Sequence, residues 1–390
     1  MARIHDLWRL WLRQNWWMTA AIIMLLTVGV LFIHSATHLR TDRTLFLDVQ
    51  QMRWALVGMT VYWSALWLDY RRLRDGTWAF YGLVVALLIA VLFVGVKIYG
   101  ARRWLMAFGM VVQPSELGKL AVILALAVWL AARERSAAPP AIWKAFALAA
   151  LPMVLIMKEP DLGTALVFVP ITMAMLFIGG ASWRPLLALI VAGALAVTAV
   201  LAMVMLPEML GMRPERQESF FHRLGLSHYQ RDRIEVFLRP DSDPLGAGWN
   251  RRQSEIAVGS GGVYGRGYMQ GRQNLYGFLP RTVSPTDFIF AVIAEETGFA
   301  GATALLGLYV VLIGCGLMTA LRAPDMMGRM LCIGITTLIF SHVFINVAMT
   351  TGLLPVTGIP LPLVSYGGTF LVSTLLMLGL MQSVYVRKAS

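Results

Sequence analysis

The chain has 390 residues, of which 58% are hydrophobic and 14% are charged, and its formal net charge is +12. Soluble domains are about 45–50% apolar and about 25% charged, so this composition excludes a disordered chain, a collagen-like chain and a typical cytosolic enzyme. The basic residues lie between apolar segments, as topology signals do, and not in a dense tract that would bind nucleic acid. The composition predicts an all-α polytopic membrane protein.

Ten apolar segments are candidate transmembrane spans, and we treat residues 1–390 as a single integral membrane domain. The segments cover residues 16–34, 54–69, 77–96, 115–132, 141–157, 162–179, 184–206, 288–321, 328–350 and 363–386. The first is interpreted as a membrane anchor and not a signal peptide, because it is long and lacks a clear cleavage site. The eighth exceeds one bilayer crossing, which predicts that it begins above the membrane or is tilted.

Lysine and arginine residues in the connections predict the orientation of the chain. With a cytoplasmic N-terminus, the inner connections hold fourteen basic residues and the short outer connections hold seven. This bias predicts that both termini are cytoplasmic. It also makes residues 207–287 one large extracytoplasmic loop between spans seven and eight. The glycines of that loop, from Gly246 to Gly277, are typical of a folded lobe whose backbone approaches a ligand closely.

Two groups of polar residues interrupt the apolar pattern ahead of the large loop, and a charge inside a span usually faces a cavity or a partner. Glu116 and Lys119 are three residues apart at the start of span four, so they share one helix face. They form either a self-neutralising pair that lets the helix insert or a wall of a cavity for a charged headgroup. Asp161 lies between spans five and six, where the simpler interpretation is a carboxylate that satisfies free N–H groups at a helix N-terminus.

Asp287 stands where the large loop enters a strongly apolar helix, ahead of Glu295 and Glu296. As a carboxylate at a helix N-terminus it would contribute about 0.3–1 kcal/mol of stability, and on spacing alone this is the simpler interpretation. The same position also suits a general base that faces a lipid-linked substrate. The residues themselves leave both interpretations open.

Several weaker features accompany these groups. Arg103 follows Arg102, and it either binds phosphate or extends to the membrane interface. The prolines and glycines of 360–368 mark a broken entry to the last span, where Tyr366 is more often an interfacial anchor than a ligand. His342 is expected to be packed or hydrogen-bonded within its helix. The cysteines Cys315 and Cys332 lie in apolar runs and provide neither a disulfide framework nor a metal site.

Taken together, six segments resemble the SEDS family (shape, elongation, division and sporulation), and most closely its RodA branch. They are 113–119 (QPSELGK), 160–164 (PDLGT), 243–248 (DPLGAG), 256–262 (IAVGSGG), 286–296 (TDFIFAVIAEE) and 360–368 (PLPLVSYGG). Each is weak alone, but together they occur in family order and are highly specific. The fourth segment resembles RodA more than its division relative FtsW.

The resemblance implies a ten-span fold in the bacterial cytoplasmic (inner) membrane. It also implies a peptidoglycan glycosyltransferase that polymerises lipid II, the undecaprenyl-diphosphate-linked disaccharide peptide, during cell elongation and rod-shape maintenance. A class B penicillin-binding protein, the transpeptidase, is the implied partner. Asp287 matches the family's essential aspartate, Glu116 and Lys119 match its intramembrane polar pair, and Arg103 matches an arginine of its Gly-Ala-x-Arg-Trp segment.

On this basis Asp287 is the candidate general base. The candidate substrate-binding residues are Arg103, Glu116, Lys119, Asp161, Arg231, Arg233, Gln253, Ser254, Ser365 and Tyr366. The leaving diphosphate needs positive charge, which Arg103, Lys119, Arg231, Arg233 or a bound Mg²⁺ would supply. The sequence contains no recognisable metal cage, so the expectation of a cation rests on the chemistry of the leaving diphosphate alone.

The sequence departs from the family pattern in three places. Where the family often has Leu-Pro-Glu-x-His before the aspartate, residues 279–285 read LPRTVSP, which is about two residues longer. Residues 207–226 resemble an insertion, and Thr369 replaces a usual serine.

Two other functions are compatible with broken helices and buried charges: a transporter that flips lipid II, and a scaffold that only recruits the transpeptidase.

Overall fold

The computed structural model describes residues 8, 10–38, 46–98, 101–107, 110–133, 140–209, 235–239, 246–280 and 283–387. Most of these residues are helical. The principal helices, numbered in chain order, are α1 (Trp16–Thr37), α2 (Leu47–Trp67), α3 (Leu73–Val94), α4 (Pro114–Ala132), α5 (Ile142–Lys158), α6 (Leu162–Ile178), α7 (Trp183–Met209), α8 (Ala247–Ser260), α9 (Arg272–Leu275), α10 (Ile289–Leu321), α11 (Met326–Thr350) and α12 (Gly368–Val386).

Each of the ten predicted spans falls on one of these helices, and α8 and α9 belong to the predicted large loop. Seven helical segments are long and apolar enough to cross a membrane, so the expected multi-pass membrane protein is confirmed. Of the other three, α5 and α6 have 17 residues each, fewer than the roughly 20 that a bilayer requires. The number of crossings therefore stays a prediction.

A small antiparallel sheet departs from the expected all-α architecture. Strands β1 (Val96–Ile98), β2 (Ala101–Ala107) and β3 (Met110–Val112) pair in that order between α3 and α4. Val96 lies opposite Trp104, and Leu105 lies opposite Val112. Such β-branched and aromatic pairs favour strands, and the segment is too short for another span. The sheet carries Arg103 on its central strand.

The helix ends have local causes. Three of the described α-helices have side-chain N-caps. In each, the cap side chain accepts a hydrogen bond from the backbone N–H three residues later; the caps are Asn15 for α1, Asp161 for α6 and Asp325 for α11. The last helix begins at Gly368 and not at 363 as predicted, because Leu363 has a φ of 67° and Gly367 a φ of 161°, and neither value is helical. Gly298 has a φ of 69° and bends α10, which explains why the eighth predicted span is longer than one bilayer crossing.

The centre of the bundle is built from α4, α11 and α12, whose side chains are mostly buried. Helix α11 packs against α4, α6 and α10, and α12 packs along α2. In contrast, α7 is almost entirely exposed on the surface of the bundle. Because the central helices are enclosed by protein, the two charged side chains of α4, Glu116 and Lys119, contact each other and neighbouring polar side chains.

Two glycines of the large loop, Gly261 and Gly265, lie against the backbone of α10. A side chain on Gly261 would place its Cβ 2.1 Å from the Ala294 carbonyl oxygen, and one on Gly265 would lie 2.2 Å from that of Glu296. These glycines therefore allow the chain after α8 to pack directly on the backbone of α10. This packing accounts for these two glycines, and the expected approach of the loop to a ligand stays a prediction.

At the end of the bundle opposite Asp287, a hydrogen bond and an ion pair to Asp325 hold two chain segments together. Tyr70 donates to Asp325 at 2.5 Å, and Arg71 pairs with the same carboxylate at 3.0 Å. Burial opposes ionisation of Asp325, but these hydrogen bonds and that of the Gly328 N–H hold its pKa below the ordinary value. This cluster fixes the start of α11, which carries two residues of the site at its other end.

Candidate active site

Asp287 lies immediately before α10, as predicted, and it is half-buried at the end of the bundle. Its backbone N–H donates to the Val283 carbonyl at 3.0 Å, so the residue belongs to a tight turn that leads into the helix. Beside it, a Cβ added to Gly358 would lie 3.3 Å from the Asp287 Oδ2 atom. The carboxylate therefore faces the segment 357–367, which we call the proline loop.

The proline loop is held against the turn of Asp287 by Ser365 and Tyr366. The Ser365 hydroxyl donates to the Thr286 carbonyl at 2.6 Å, and the Tyr366 N–H donates to the Pro285 carbonyl at 2.9 Å. These two candidate substrate-binding residues thus use their polar groups to join two chain segments. The sequence placed both near the last span but did not indicate that they support the aspartate.

Asn346, on α11, also connects the turn of Asp287 to the proline loop. Its Nδ2 atom donates to the Asp287 carbonyl at 2.9 Å and to the Ile359 carbonyl at 2.7 Å. The side chain is fully buried. Sequence reasoning missed this residue, although a histidine and an asparagine four positions apart in an apolar helix are a recognisable signal, because they share one helix face.

The intramembrane pair lies deeper in the bundle. Lys119 Nζ is 2.8 Å from Glu116 Oε2, as the i, i+3 spacing predicts. Lys119 also lies 3.3 Å from His342 Nε2, and its ammonium stands 5.2 Å from the centroid of the Phe370 ring. His342 is packed and hydrogen-bonded, as expected, because its Nδ1 lies 3.2 Å from the Pro360 carbonyl oxygen. The pair is thus joined to the proline loop.

The third predicted group surrounds the start of α6. Asp161 accepts from the Thr164 N–H at 3.2 Å and from its hydroxyl at 3.0 Å, so the helix-capping interpretation is confirmed. Arg103 Nε donates to the Glu159 carbonyl at 3.0 Å, Arg103 Nη2 donates to the Pro160 carbonyl, and Nη1 lies 3.9 Å from Asp161 Oδ2. The arginine therefore joins the sheet to the connection between α5 and α6.

Glu159 is a further carboxyl that the sequence did not single out. It is 1% exposed, and neither of its carboxylate oxygens has a hydrogen-bond partner within the described part of the chain. Burial, together with the nearby Asp161 carboxylate, raises the pKa of Glu159 to about 8, and the Arg103 guanidinium opposes both effects. A carboxyl in this setting holds its proton at neutral pH.

One glycine brings this third group into the site. A Cβ on Gly163 would lie 2.8 Å from Ile359 Cγ1 and 3.0 Å from the Thr357 carbonyl oxygen. The start of α6 therefore packs directly on the proline loop. Residues from three distant motifs thus meet at this loop: Asp287 lies beside Gly358, the start of α6 contacts Thr357 and Ile359, and the ion pair reaches Pro360 through His342.

The remaining predicted residues have other positions. Ser254 donates to the Thr350 carbonyl at 2.9 Å and so fastens α8 to the end of α11, and the neighbouring Gln253 is buried. Arg231 and Arg233 lie outside the described residues. Among the residues that are described, no group of three or more His, Cys, Asp or Glu side chains could hold a metal ion. We therefore assign no ligands to the expected Mg²⁺, which stays a prediction.

Comparisons with known proteins give a consistent result. The family model of the FtsW, RodA and SpoVE proteins, described as "Cell cycle protein", matches residues 15–390. The peptidoglycan glycosyltransferase MrdB of Escherichia coli (strain K12) is 39% identical over 323 residues, which cover 81% of this chain and 80% of that protein. The peptidoglycan glycosyltransferase RodA of Treponema pallidum (strain Nichols) is 32% identical over 94% of this chain and 96% of its own.

Solved structures share the fold. One is a chain from a study of polymerization and crosslinking by a peptidoglycan synthase complex, with 31% identity, a TM-score of 0.74, and coverage of 95% of this chain and 97% of that one. Another is the rod shape determining protein RodA of Thermus thermophilus, with 28% identity, a TM-score of 0.66, and coverage of 97% and 99%.

Proposed function

The chain belongs to the FtsW, RodA and SpoVE family of cell cycle proteins, and from this premise we propose how it acts as a peptidoglycan glycosyltransferase of the RodA branch. Its substrate is lipid II, which it polymerises into glycan strands during elongation of the cell. The observation that carries this proposal is the position of Asp287, half-buried at the end of an apolar bundle. There a carboxylate can reach a polar headgroup while the lipid tail stays in hydrocarbon.

In the proposed reaction the 4-hydroxyl of the acceptor sugar attacks the anomeric carbon of the lipid-linked donor. A new glycosidic bond forms, the bond to undecaprenyl diphosphate breaks, and the hydroxyl proton passes to the Asp287 carboxylate. Asp287 is thus the general base. The turn from Val283 and the proline loop hold it in place, which reduces the reorganisation needed when the acceptor arrives.

The departing diphosphate needs positive charge from the protein. We assign this role to Arg103 before Lys119, because the arginine side chain is 19% exposed and the lysine side chain is 1% exposed. The lysine is also neutralised by Glu116. Arg231 and Arg233 stay candidates from the sequence, and so does a divalent cation, which when bound would neutralise diphosphate charge.

A detergent assay tests the activity. The purified chain is incubated with lipid II, with and without a chelator, and glycan polymer is separated by gel. We expect polymer without any membrane gradient. A protein that moves lipid II across sealed vesicles and makes no polymer would be a flippase, and one that does neither would be a scaffold; either result would refute the proposal.

A class B penicillin-binding protein is the partner that we propose. The support is the similarity to a chain from a peptidoglycan synthase complex together with the family membership. We expect the partner's membrane anchor and outer pedestal to make the contact. Co-purification from detergent extracts should recover the pair, and an active chain that never retains such a partner would argue against it.

We also propose that the protein resides in the bacterial inner membrane with both termini in the cytoplasm. The support is the excess of basic residues in the connections predicted to be inner. Asp287, Arg103 and Asp161 then lie at the outer end of the bundle. Lipid II carries its headgroup on that side when polymerisation begins.

A further inference from the structure

Asn346 is a buried amide that contacts the backbone of Asp287, and we propose that it is a positioning residue for glycosyl transfer. It fixes the turn of Asp287 against the proline loop, so that the carboxylate faces the acceptor hydroxyl. This inference rests on the proposed function, because it presupposes that Asp287 takes the proton. It adds a residue that none of the six sequence motifs contains.

The orientation of the amide follows from its neighbours. Nδ2 lies 2.9 Å from the Asp287 carbonyl oxygen and 2.7 Å from the Ile359 carbonyl oxygen. Carbonyl oxygens only accept hydrogen bonds, so the NH₂ group of Asn346 must face them, and both of its N–H donors are used. One side chain therefore holds two segments of the chain at a fixed separation.

With this bond, both backbone polar groups of Asp287 are fixed. Its N–H donates to Val283 and its carbonyl accepts from Asn346, so only the side-chain torsions of the aspartate remain to be set. Gly358, which precedes Ile359 in the proline loop, lies directly beside the carboxylate. A shift of the loop relative to the turn would therefore change where the carboxylate points, and a misplacement of about 1 Å can cost about 10²-fold in rate.

The same face of α11 holds the next carbonyl of the loop. His342, four residues before Asn346, lies with Nδ1 3.2 Å from the Pro360 carbonyl oxygen and Nε2 3.3 Å from Lys119 Nζ. Since the ammonium only donates, Nε2 must accept and Nδ1 carries the proton. Two neighbouring carbonyls of the proline loop are thus bound by two side chains of one helix. This makes α11 the common support of the ion pair and the aspartate.

The competing explanation is that Asn346 only stabilises helix packing. Its Oδ1 atom is buried and has no hydrogen-bond partner within the described part of the chain, which costs stability. Loss of a side chain that only stabilises packing should lower the unfolding temperature and leave the kcat of folded enzyme unchanged, whereas loss of a positioning side chain should lower kcat. The two explanations predict different kinetics, so they can be separated by experiment.

The first test compares Asn346→Leu with Thr336→Val in the lipid II polymerisation assay. Leucine has a similar size and no donors, while Thr336 is a buried residue of the same helix whose hydroxyl has no partner among the described residues. We expect Asn346→Leu to lower kcat by about 10–100-fold with KM changed by less than about twofold. Thr336→Val should keep parental kinetics. A rise in KM of about 10–100-fold for Asn346→Leu with kcat unchanged would overturn the inference.

A second variant guards against misfolding. Asn346→Ser keeps one donor in a smaller side chain, so it should fold and show a kcat between those of the parent and the leucine variant. If Asn346→Leu does not yield folded protein, the serine variant decides, and a parental kcat for it would refute a positioning role. Thermal unfolding of each variant establishes that the enzyme assayed is folded.

A double variant ties the effect to the aspartate. In an Asp287→Asn background, adding Asn346→Leu should reduce the residual rate by less than about threefold, because the group being positioned is already lost. Reductions that multiply would show that Asn346 acts independently of Asp287. If Asp287→Asn itself polymerises at the parental rate, the proposed base is wrong; if it is impaired while Asn346→Leu is parental, only the positioning inference fails.

Discussion

The Nζ atom of Lys119 lies 2.8 Å from the carboxylate of Glu116, with the two side chains only 1% and 4% exposed. The contacts of the pair extend outward, because Ser373 donates to Glu116 Oε2 at 3.3 Å and His342 accepts from the lysine. Two opposite charges in such a site are compensated by one another. Neither can be removed without leaving the other in a medium of low dielectric constant.

Glu116→Gln and Lys119→Met should therefore each be more harmful than the double change. Breaking a buried pair by removing one partner costs about 3–5 kcal/mol, while replacing both charges is often nearly neutral. We expect lower yields and lower unfolding temperatures for the single variants than for the double variant. Unfolding scans of the four purified proteins measure this. Losses that simply add in the double variant would assign the two residues separate roles.

Asp287→Asn should abolish most polymerisation without harming the fold. Asparagine keeps the shape of the side chain but cannot take the proton, and loss of a general base costs about 10²–10⁴ in rate. Loss of a charge at a helix N-terminus costs only about 0.3–1 kcal/mol of stability. Expression, unfolding temperature and partner binding should thus stay near parental while the rate falls at least about a hundredfold. A near-parental rate would make Asp287 a structural residue.

Gly358→Ala should lower the rate through crowding of the aspartate. Gly358 has a φ of 76°, which strains any other residue, and the added Cβ would lie 3.3 Å from Asp287 Oδ2. Gly180→Ala is the matched control, because Gly180 also has a positive φ, of 85°, and nothing stands within 4 Å of the position that its added Cβ would take. We expect at least about a tenfold loss of kcat for Gly358→Ala and none for Gly180→Ala. Equal activities would contradict the close approach.

Glu159 should make stability depend on pH. Its pKa is about 8 in the fold against an ordinary value of 4.5, so between these values the unfolded chain releases a proton that the folded chain keeps. Stability should therefore fall as the pH rises from about 4.5 to about 8. Glu159→Gln should remove this dependence and be more stable than the parent at pH 8, with little difference at pH 5. Asp75→Asn, at an exposed carboxylate, is the control. Parallel pH profiles for parent and Glu159→Gln would refute it.

Cysteine labelling should establish the orientation. In a background without Cys315 and Cys332, Tyr264→Cys places a thiol on the predicted outer segment at a residue that is 86% exposed. Asp75→Cys places one at the predicted inner end. We expect an impermeant maleimide to label the first in intact spheroplasts and the second only after the membrane is opened. The reverse pattern would invert the topology.

The sequence predicted local features well because their causes are local. The apolar run of α4, with Pro114 in its first turn, defines that helix within one residue, and the spacing of Glu116 and Lys119 predicts their pairing. The cap at Asp161 was likewise identified from its position between two apolar segments. Each of these features involves residues within four positions of one another.

The site itself could not be derived in the same way. Asn346 is separated from Asp287 by 59 positions, and Lys119 from His342 by 223, so no periodicity links them. The small sheet was missed because strands as short as Val96–Ile98 carry too few residues for a recognisable alternation. What the motifs did provide was the set of residues, and the packing of α6 and α11 on the proline loop brings that set together.

The bend at Gly298 determines the direction of the segment that precedes it. Asp287 is bound by Asn346, four residues from the end of α11, while Glu296 accepts from Ser35, two residues from the end of α1. Both ends of the segment from Ile289 to the bend therefore lie close to helix ends, and we expect the segment to run roughly along the membrane plane. The 23 residues after Gly298 span about 34 Å and suffice for one crossing. A change of angle at this hinge would sweep Asp287 sideways across the mouth of the bundle, as a lever does, and would leave its height above the lipid nearly constant.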